Sequence, residues 1–144
     1  EDVDNGVSFS DACSILVNEY DTKRYTWASY GFYDRNQFET QCERENVQYP
    51  FSYSHINVKI LFALVNSLRG QVGMTEALKI LNIPLKGTHH RGGDDAQNIA
   101  QILSRILFNK GVDIVWLINA QNNRNAISRL GNEICITNKK IKYT

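Results

Sequence analysis

The chain has 144 residues, of which 42% are hydrophobic and 22% are charged. This length suits one compact domain with a substantial hydrophobic core, and these proportions exclude a mainly disordered chain. Its apolar runs fall well short of the ~18 residues that a bilayer-spanning helix needs, so we expect no membrane partner.

The charge is balanced overall but unevenly distributed. Sixteen basic and fifteen acidic residues give a formal net charge of +1. Residues 120–144 contain five of the basic residues and one of the acidic residues, which gives this segment a net charge of +4. A basic segment is compatible with contacts to nucleic-acid phosphates, although a solvated surface explains it more simply.

The three cysteines, Cys13, Cys42 and Cys135, are odd in number and far apart in the sequence. No two of them have the CxxC spacing that is typical of zinc ligands. We therefore expect reduced thiols and an intracellular, cytoplasmic protein.

The N-terminal segments predict two helices with a strand between them. Ser8, followed three residues later by Asp11, is typical of a capping box and predicts a helix over about 9–20. The aromatic-rich segment 25–33 predicts a strand. A polar helix is expected over 34–46.

Apolar helices follow a loop at 47–51. Apolar residues at helical spacing predict one helix over 55–68. Thr75 is the expected N-cap of a shorter helix, which Pro84 ends.

The remaining segments alternate between helix and strand patterns. Residues 86–93 predict a glycine-interrupted loop, and 94–108 form the clearest amphipathic pattern in the chain. Segment 112–118 is typical of a buried strand, and 133–144 is compatible with a hairpin. Two strands are too few to cover so many apolar helix faces, which predicts part of an α/β domain.

The segment HHRGGDDAQNIA at 89–100 carries the sharpest chemical signal. His90 lies on the glycine loop, five residues before Asp95 on the first turn of the following helix, so the two side chains can converge. A carboxylate held in this way suits Mg²⁺ or Mn²⁺, and a nearby histidine can accept a proton from water. Alternatively, Asp94 and Asp95 only cap the helix and complement its dipole.

Asp34 is a second candidate, because it follows a predicted strand and opens a helix. Functional carboxylates of α/β folds often lie at the carboxyl end of a strand. An N-capping role for Asp34 fits the same position.

Several other side chains have two interpretations. The aromatic rings Trp27, Tyr30 and Tyr33 can stack on nucleobases, but an aromatic strand usually belongs to the core. Asn98 is either a residue that orients the site or an ordinary polar helix residue. His89 is a weaker candidate than His90, and His55 has no partner that the sequence reveals.

These motifs resemble those of the DnaQ-like 3′–5′ exonucleases of the DEDDh type, which use four carboxylates and a histidine. The run DDAQNIA with His90 is similar to the third motif of that family, and WASYGFYDRNQFETQC at 27–42 is similar to the second. Gln41-Cys42, Pro50 and INVK at 56–59 are closer to the subgroup that trims the 3′ ends of small RNAs and histone messages. The resemblance extends from about Val3 to Asn119.

The resemblance implies an RNase H-like α/β fold and a two-metal site with Mg²⁺ or Mn²⁺. Asp34 and Asp95 would be metal ligands, and His90 would take the proton from the attacking water. The implied reaction is metal-dependent 3′–5′ hydrolysis of RNA or single-stranded DNA, which releases nucleoside 5′-monophosphates.

The first motif of the family, Asp-x-Glu on the opening strand, is not present in this sequence. Asp2 and Asp4 have a similar spacing but no apolar strand around them, so they are interpreted as solvated charges. Residues 1–119 are therefore expected to be the C-terminal two-thirds of an exonuclease domain lacking its N-terminal strands, with 120–144 as a basic extension. We expect this chain to be weak or inactive as a nuclease. The alternative is a non-catalytic relative that binds nucleic acid or protein.

Overall fold

The computed structural model describes residues 6–110, which form a mixed α/β fold. In this range there are five helices and two strands in the order α1 (Phe9–Tyr20), β1 (Trp27–Ser29), α2 (Tyr33–Glu45), β2 (His55–Asn57), α3 (Val58–Val65), α4 (Met74–Ile80) and α5 (Gly92–Lys110). The strands pair in parallel, with Trp27 opposite His55 and Ser29 opposite Asn57. The α/β class expected from the sequence is confirmed, and the predicted segments 112–118 and 120–144 lie outside the described residues.

The first helix begins as its capping box predicts. The hydroxyl of Ser8 accepts a hydrogen bond from the backbone N–H of Asp11 at 3.1 Å and donates one to the Asp11 carboxylate at 2.6 Å. These two bonds satisfy a free amide of the first turn and fix the start of α1.

The helix predicted over 55–68 is wrong at both ends. Residues 55–57 are β2, and α3 covers Val58–Val65. The boundary lies at Asn57, whose side chain caps α3 by accepting the N–H of Ile60 at 3.1 Å. The apolar run did not reveal this boundary, because a buried parallel strand and a buried helix are both continuously apolar.

The other helix boundaries differ by a few residues from the prediction. The N-cap of α4 is Gly73, so Thr75 lies inside the helix. Helix α5 begins at Gly92, two residues before the predicted start. The strand predicted over 25–33 is reduced to three residues, because Gly31 adopts a φ of 118° and turns the chain into α2.

The hydrophobic core lies between α3, α4 and α5, with β2 at its side. Helix α5 packs against α3 and α4 through its apolar stripe. Fully buried core side chains come from all three helices, namely Leu61, Phe62, Leu78, Ile102 and Ile106. The first turn of α5 and the end of β1 both line one cavity, which is described below. No helix in the described part of the chain is long and apolar enough to cross a membrane.

Candidate active site

The loop before α5 holds two adjacent histidines on the same side of the backbone. His90 has a φ of 71°, in the left-handed region that residues with a side chain rarely adopt. Side chains of neighbouring residues in extended backbone point to opposite sides, but here the rings of His89 and His90 stack with their centroids 3.9 Å apart. Backbone strain of this kind is often found at functional sites.

The first turn of α5 holds this loop by hydrogen bonds to its backbone. The Asp94 carboxylate accepts the N–H of Thr88 at 2.9 Å, and the Asp95 carboxylate accepts the N–H of His90 at 3.1 Å. Gly87 has a φ of 65°, and a Cβ there would collide with the Asp94 carboxylate. Asp94 and Asp95 therefore shape the loop, beyond the simple capping that the sequence also allowed.

The Asp95 carboxylate has a partner on each oxygen. His89 donates from Nδ1 to Oδ1 at 3.0 Å, and the backbone of His90 donates to Oδ2. The side chain of Asp95 is half-buried, whereas that of His90 is exposed. His89 and His90 thus hold the Asp95 carboxylate in one orientation.

A cavity of about 640 Å³ is lined by both Asp34 and Asp95. It lies between β1, α2 and α5, and its lining includes Asp34, Asp95 and His89 together with the aromatic side chains Trp27, Tyr30, Tyr33 and Phe38. His90 is not part of that lining, although its ring stacks on His89. The structure thus places the two predicted carboxylates on one cavity and puts His89, the weaker candidate, closer to it than His90.

Asp34 is presented to the cavity by the first turn of α2. The helix begins at Tyr33 and its N-cap is Phe32, which makes no capping bond with its side chain. Asp34 therefore does not cap the helix. Its carboxylate is exposed and has no hydrogen-bond or ion-pair partner among the described residues.

Comparison with known proteins relates the chain to one class of enzyme. Human 3′-5′ exoribonuclease 1 is 31% identical to it over 97 residues. The chain is thus distantly similar to a 3′-5′ exoribonuclease. The exonuclease resemblance drawn from the motifs is thereby confirmed. The matched segment covers 65% of this chain and 28% of the human protein. No protein-family model matches the chain, and no solved structure matches it significantly.

The carboxylates that line the cavity are of the chemical type that suits a hard divalent cation. Carboxylate oxygens are the ligands that Mg²⁺ and Mn²⁺ prefer, and Asp34 offers an unpartnered carboxylate to the same cavity as Asp95. Asp95 can use only the free lone pairs of its oxygens unless the His89 bond opens. Both carboxylates are therefore candidate ligands for such an ion.

The sequence did not reveal the first of two features of the site, and for the second it left two interpretations of Asn98 open. The first is the bond from His89 to Asp95, which depends on the left-handed backbone of His90. The second is the burial of Asn98, which has no exposed surface and bonds to the loop backbone at Lys86. Asn98 lies one turn beyond Asp94 on α5. This spacing, which puts both side chains on one face of the helix, was the sequence signal for a role of Asn98 at the site.

His55 lies behind the cavity wall and differs from its sequence interpretation. It is a strand residue, and its Nε2 lies 2.8 Å from the Ser29 hydroxyl. The Ser29 hydroxyl donates its proton to the carbonyl of Gly31, so the His55 ring must be the donor to Ser29. Burial, with a contribution from the positive charge of Arg35, lowers the pKa of His55 to about 4.

Proposed function

We propose that this protein is a metal-dependent 3′–5′ exonuclease that releases nucleoside 5′-monophosphates from RNA or single-stranded DNA. The observation that carries the proposal is the shared cavity of Asp34 and Asp95, which come from different elements and match the second and third motifs of the DnaQ-like exonucleases. The similarity to a 3′-5′ exoribonuclease supports the same chemistry. The RNase H-like exonuclease fold and the assignment of residues 1–119 to it belong to this proposal.

The Asp34 and Asp95 carboxylates are the proposed ligands of Mg²⁺ or Mn²⁺. Divalent ions bound there would stabilise negative charge on the attacking and leaving oxygens at the terminal phosphodiester. His89 holds the Asp95 carboxylate through Nδ1 and so fixes the direction in which its free lone pairs point.

His90 is the proposed acceptor of the proton from the attacking water. Its ring is exposed and has no hydrogen-bond partner among the described residues, so a ring nitrogen is free to accept a proton. The bond from its backbone N–H to Asp95 keeps the residue beside the metal ligand.

The aromatic lining of the cavity suits the nucleotide. Tyr33 precedes Asp34 and is 75% exposed, so its ring is available to stack on a base next to the reacting phosphate. Trp27 is held in the wall by stacking on Phe51, with ring centroids 4.4 Å apart. Tyr33 is therefore the proposed stacking residue, and Trp27 is part of the wall.

A non-catalytic nucleic-acid- or protein-binding relative is the second candidate. It is favoured by the two hydrogen bonds that already occupy Asp95 and by the number of motif carboxylates, since Asp34 and Asp95 are two of the four that the family resemblance implies. For the same reason we expect the 144-residue chain by itself to hydrolyse RNA slowly.

A single experiment separates the two candidates. Labelled RNA and DNA oligonucleotides of the same sequence are incubated with the chain and Mg²⁺ or Mn²⁺, and the products are identified by chromatography. We expect slow release of 5′-monophosphates that requires the metal and is lost in Asp34→Asn, Asp95→Asn and His90→Ala. Asp21→Asn is the matched control, because Asp21 is an exposed carboxylate at the end of α1.

Metal and RNA binding are measured on the same proteins by calorimetry and fluorescence anisotropy. Absence of both hydrolysis and Mg²⁺ or Mn²⁺ binding would overturn the nuclease proposal. RNA binding that is unchanged in Asp34→Asn and Asp95→Asn would then support the non-catalytic relative.

A further inference from the structure

His89, His90 and Asp95 form a cluster of a different chemical type from the Asp34–Asp95 pair. One ring nitrogen from each histidine and one carboxylate oxygen of Asp95 all lie within 4.8 Å of one another. Imidazole is a poor ligand for Mg²⁺ but a good one for Zn²⁺ and similar transition-metal ions. Two histidines and one carboxylate are a common set of three protein ligands for zinc, with water in the fourth position.

The distances in the cluster are close to those of a zinc site. Ligand atoms at about 2.0–2.1 Å from a tetrahedral ion lie roughly 3.3–3.4 Å from each other. His89 Nδ1 and Asp95 Oδ1 are already 3.0 Å apart, so an ion needs to separate them by only a few tenths of an ångström. His90 must move its ring further, and its exposed side chain is free to do so.

The backbone brings the two histidines together before any ion binds. The left-handed conformation of His90 and the turn in which Arg91 N–H donates to the Thr88 carbonyl put both rings on the side of Asp95. The segment that leads into the two histidines is fixed at Lys86 by Asn98 and at Thr88 by Asp94. A site whose ligands are already gathered loses less conformational entropy on binding.

We propose that His89, His90 and Asp95 bind one Zn²⁺ ion, and that this ion inhibits the nuclease by taking Asp95 away from Mg²⁺ or Mn²⁺. The inhibition rests on the proposed function, whereas zinc binding does not. The key residue is His89, because it adds a third ligand beside the histidine and carboxylate that the exonuclease motif supplies.

Zinc binding is tested directly on the full chain without nucleic acid. Calorimetric titration with Zn²⁺ is expected to give one ion per chain, and His89→Ala and His90→Ala are each expected to weaken it by more than about tenfold. Thr88→Ala is the matched control in the same loop and is expected to change the affinity less than about twofold. Replacing zinc by Co²⁺ shows whether a thiol is a ligand, since cysteine ligands add a strong near-ultraviolet charge-transfer band that histidine and carboxylate ligands do not give.

The sharing of Asp95 is tested with Mn²⁺, whose free concentration is measured by electron paramagnetic resonance. Loading the chain with Zn²⁺ is expected to reduce Mn²⁺ binding in the wild type, and this effect is expected to disappear in His89→Ala at the same zinc concentration. Circular dichroism on each variant shows that it is folded.

The outcomes separate this inference from the proposed function. Zinc affinity that is unchanged in His89→Ala and His90→Ala, or a cobalt spectrum with a thiolate band, would overturn the zinc site even if the protein is a nuclease. Undiminished Mn²⁺ binding to the zinc-loaded chain would overturn the sharing of Asp95. Zinc binding that is weakened as expected in His89→Ala and His90→Ala would support the zinc site even if no hydrolysis is detected.

Discussion

Asn98 holds the backbone of Lys86 by two hydrogen bonds. Its Oδ1 accepts the Lys86 N–H at 3.0 Å, and its Nδ2 donates to the Lys86 carbonyl at 2.9 Å. The second N–H of the same amide donates to the Asp94 carbonyl at 2.8 Å. The buried amide therefore uses both its donors, and it ties the start of the histidine loop to α5.

Replacing Asn98 is expected to loosen this loop and destabilise the protein. Asn98→Asp keeps the size and the acceptor but turns a carboxylate oxygen towards two carbonyl oxygens, which we expect to cost about 2–3 kcal/mol of unfolding free energy. Urea unfolding measures the change, and hydrogen exchange is expected to accelerate at Thr88 and His90. Asn18→Asp is the control on an exposed face of α1 and is expected to stay within about 0.5 kcal/mol. Equal effects of the two substitutions would contradict the role of Asn98.

Gly87 and Gly93 provide a matched pair of substitutions close to the site. Gly87→Ala places a Cβ on a left-handed backbone and against the Asp94 carboxylate, so we expect a loss of at least about 1–2 kcal/mol. Gly93 lies in the first turn of α5 with open space around it, and Gly93→Ala is expected to be neutral or to stabilise by about 0.5–1 kcal/mol. Thermal unfolding of both variants measures the difference, and a Gly87→Ala protein as stable as the wild type would refute the collision.

His55 makes the stability depend on pH. The pKa of its ring is lowered from 6.5 to about 4 in the folded protein by burial and by Arg35, with an opposing contribution from Glu39. Its Nδ1 is buried without a hydrogen-bond partner among the described residues, so a proton placed there would be an unpaired donor. The unfolded chain therefore takes up a proton between pH 6.5 and 4 that the folded protein does not.

The contribution of His55 to the free energy of unfolding is thus expected to be fully present above pH 6.5. It is expected to be lost as the pH is lowered towards 4, which reduces the free energy of unfolding by up to about 3 kcal/mol. Urea unfolding at several pH values measures the slope. The comparison is with His55→Phe, which keeps a buried ring beside Trp27 and cannot titrate. The same slope in both proteins would show that His55 is not its source.

The thiols of Cys13 and Cys42 are expected to be unreactive in the folded protein. Burial, helped by the neighbouring Cys42 thiol, raises the pKa of Cys13 to about 11, and burial also raises the pKa of Cys42. At pH 8 roughly one Cys13 thiol in a thousand is then ionised, so labelling by a disulfide reagent should be about a hundredfold slower than in urea. A Cys135→Ser background leaves these two cysteines as the reacting groups. Rapid labelling without urea would contradict the burial of this pair.

Tyr33 is expected to contribute to nucleic-acid binding without contributing to stability. Because its ring is exposed beside Asp34, Tyr33→Ala should weaken binding of single-stranded RNA by about 1–3 kcal/mol while the unfolding free energy changes by less than about 0.5 kcal/mol. Tyr53→Ala is the control, since Tyr53 is 86% exposed and lies outside the cavity lining. Anisotropy titrations compare the two, and equal losses would show that Tyr33 has no special place in binding.

Local signals predicted the parts of the fold that depend on neighbouring residues. The bounds of α1 followed from the capping box at Ser8, and α5 followed from its helical apolar spacing. The motif around His90 and Asp95 led to the correct loop and helix for the same reason. These features are set within a few residues of the chain, where side-chain chemistry acts directly on the backbone.

Features that depend on distant contacts were not predicted. The strand at His55–Ile56–Asn57 exists because it pairs with β1, and nothing in its own apolar run separates it from the following helix. The proximity of His89 to Asp95 depends on the left-handed conformation of His90, and a histidine gives no sequence signal for that conformation. The shared cavity of Asp34 and Asp95 followed from a family resemblance, since spacing alone does not bring these residues together.

The hydrogen bonds that hold the histidine loop join residues only five to twelve positions apart. Short loops of this kind close with little entropy cost, so the His89–Asp95 half of the cavity can form as soon as α5 is helical. The Asp34 half follows β1, which must find β2 across a longer stretch of chain. One wall of the cavity is therefore expected to assemble early in folding, and the opposite wall only when the sheet has formed.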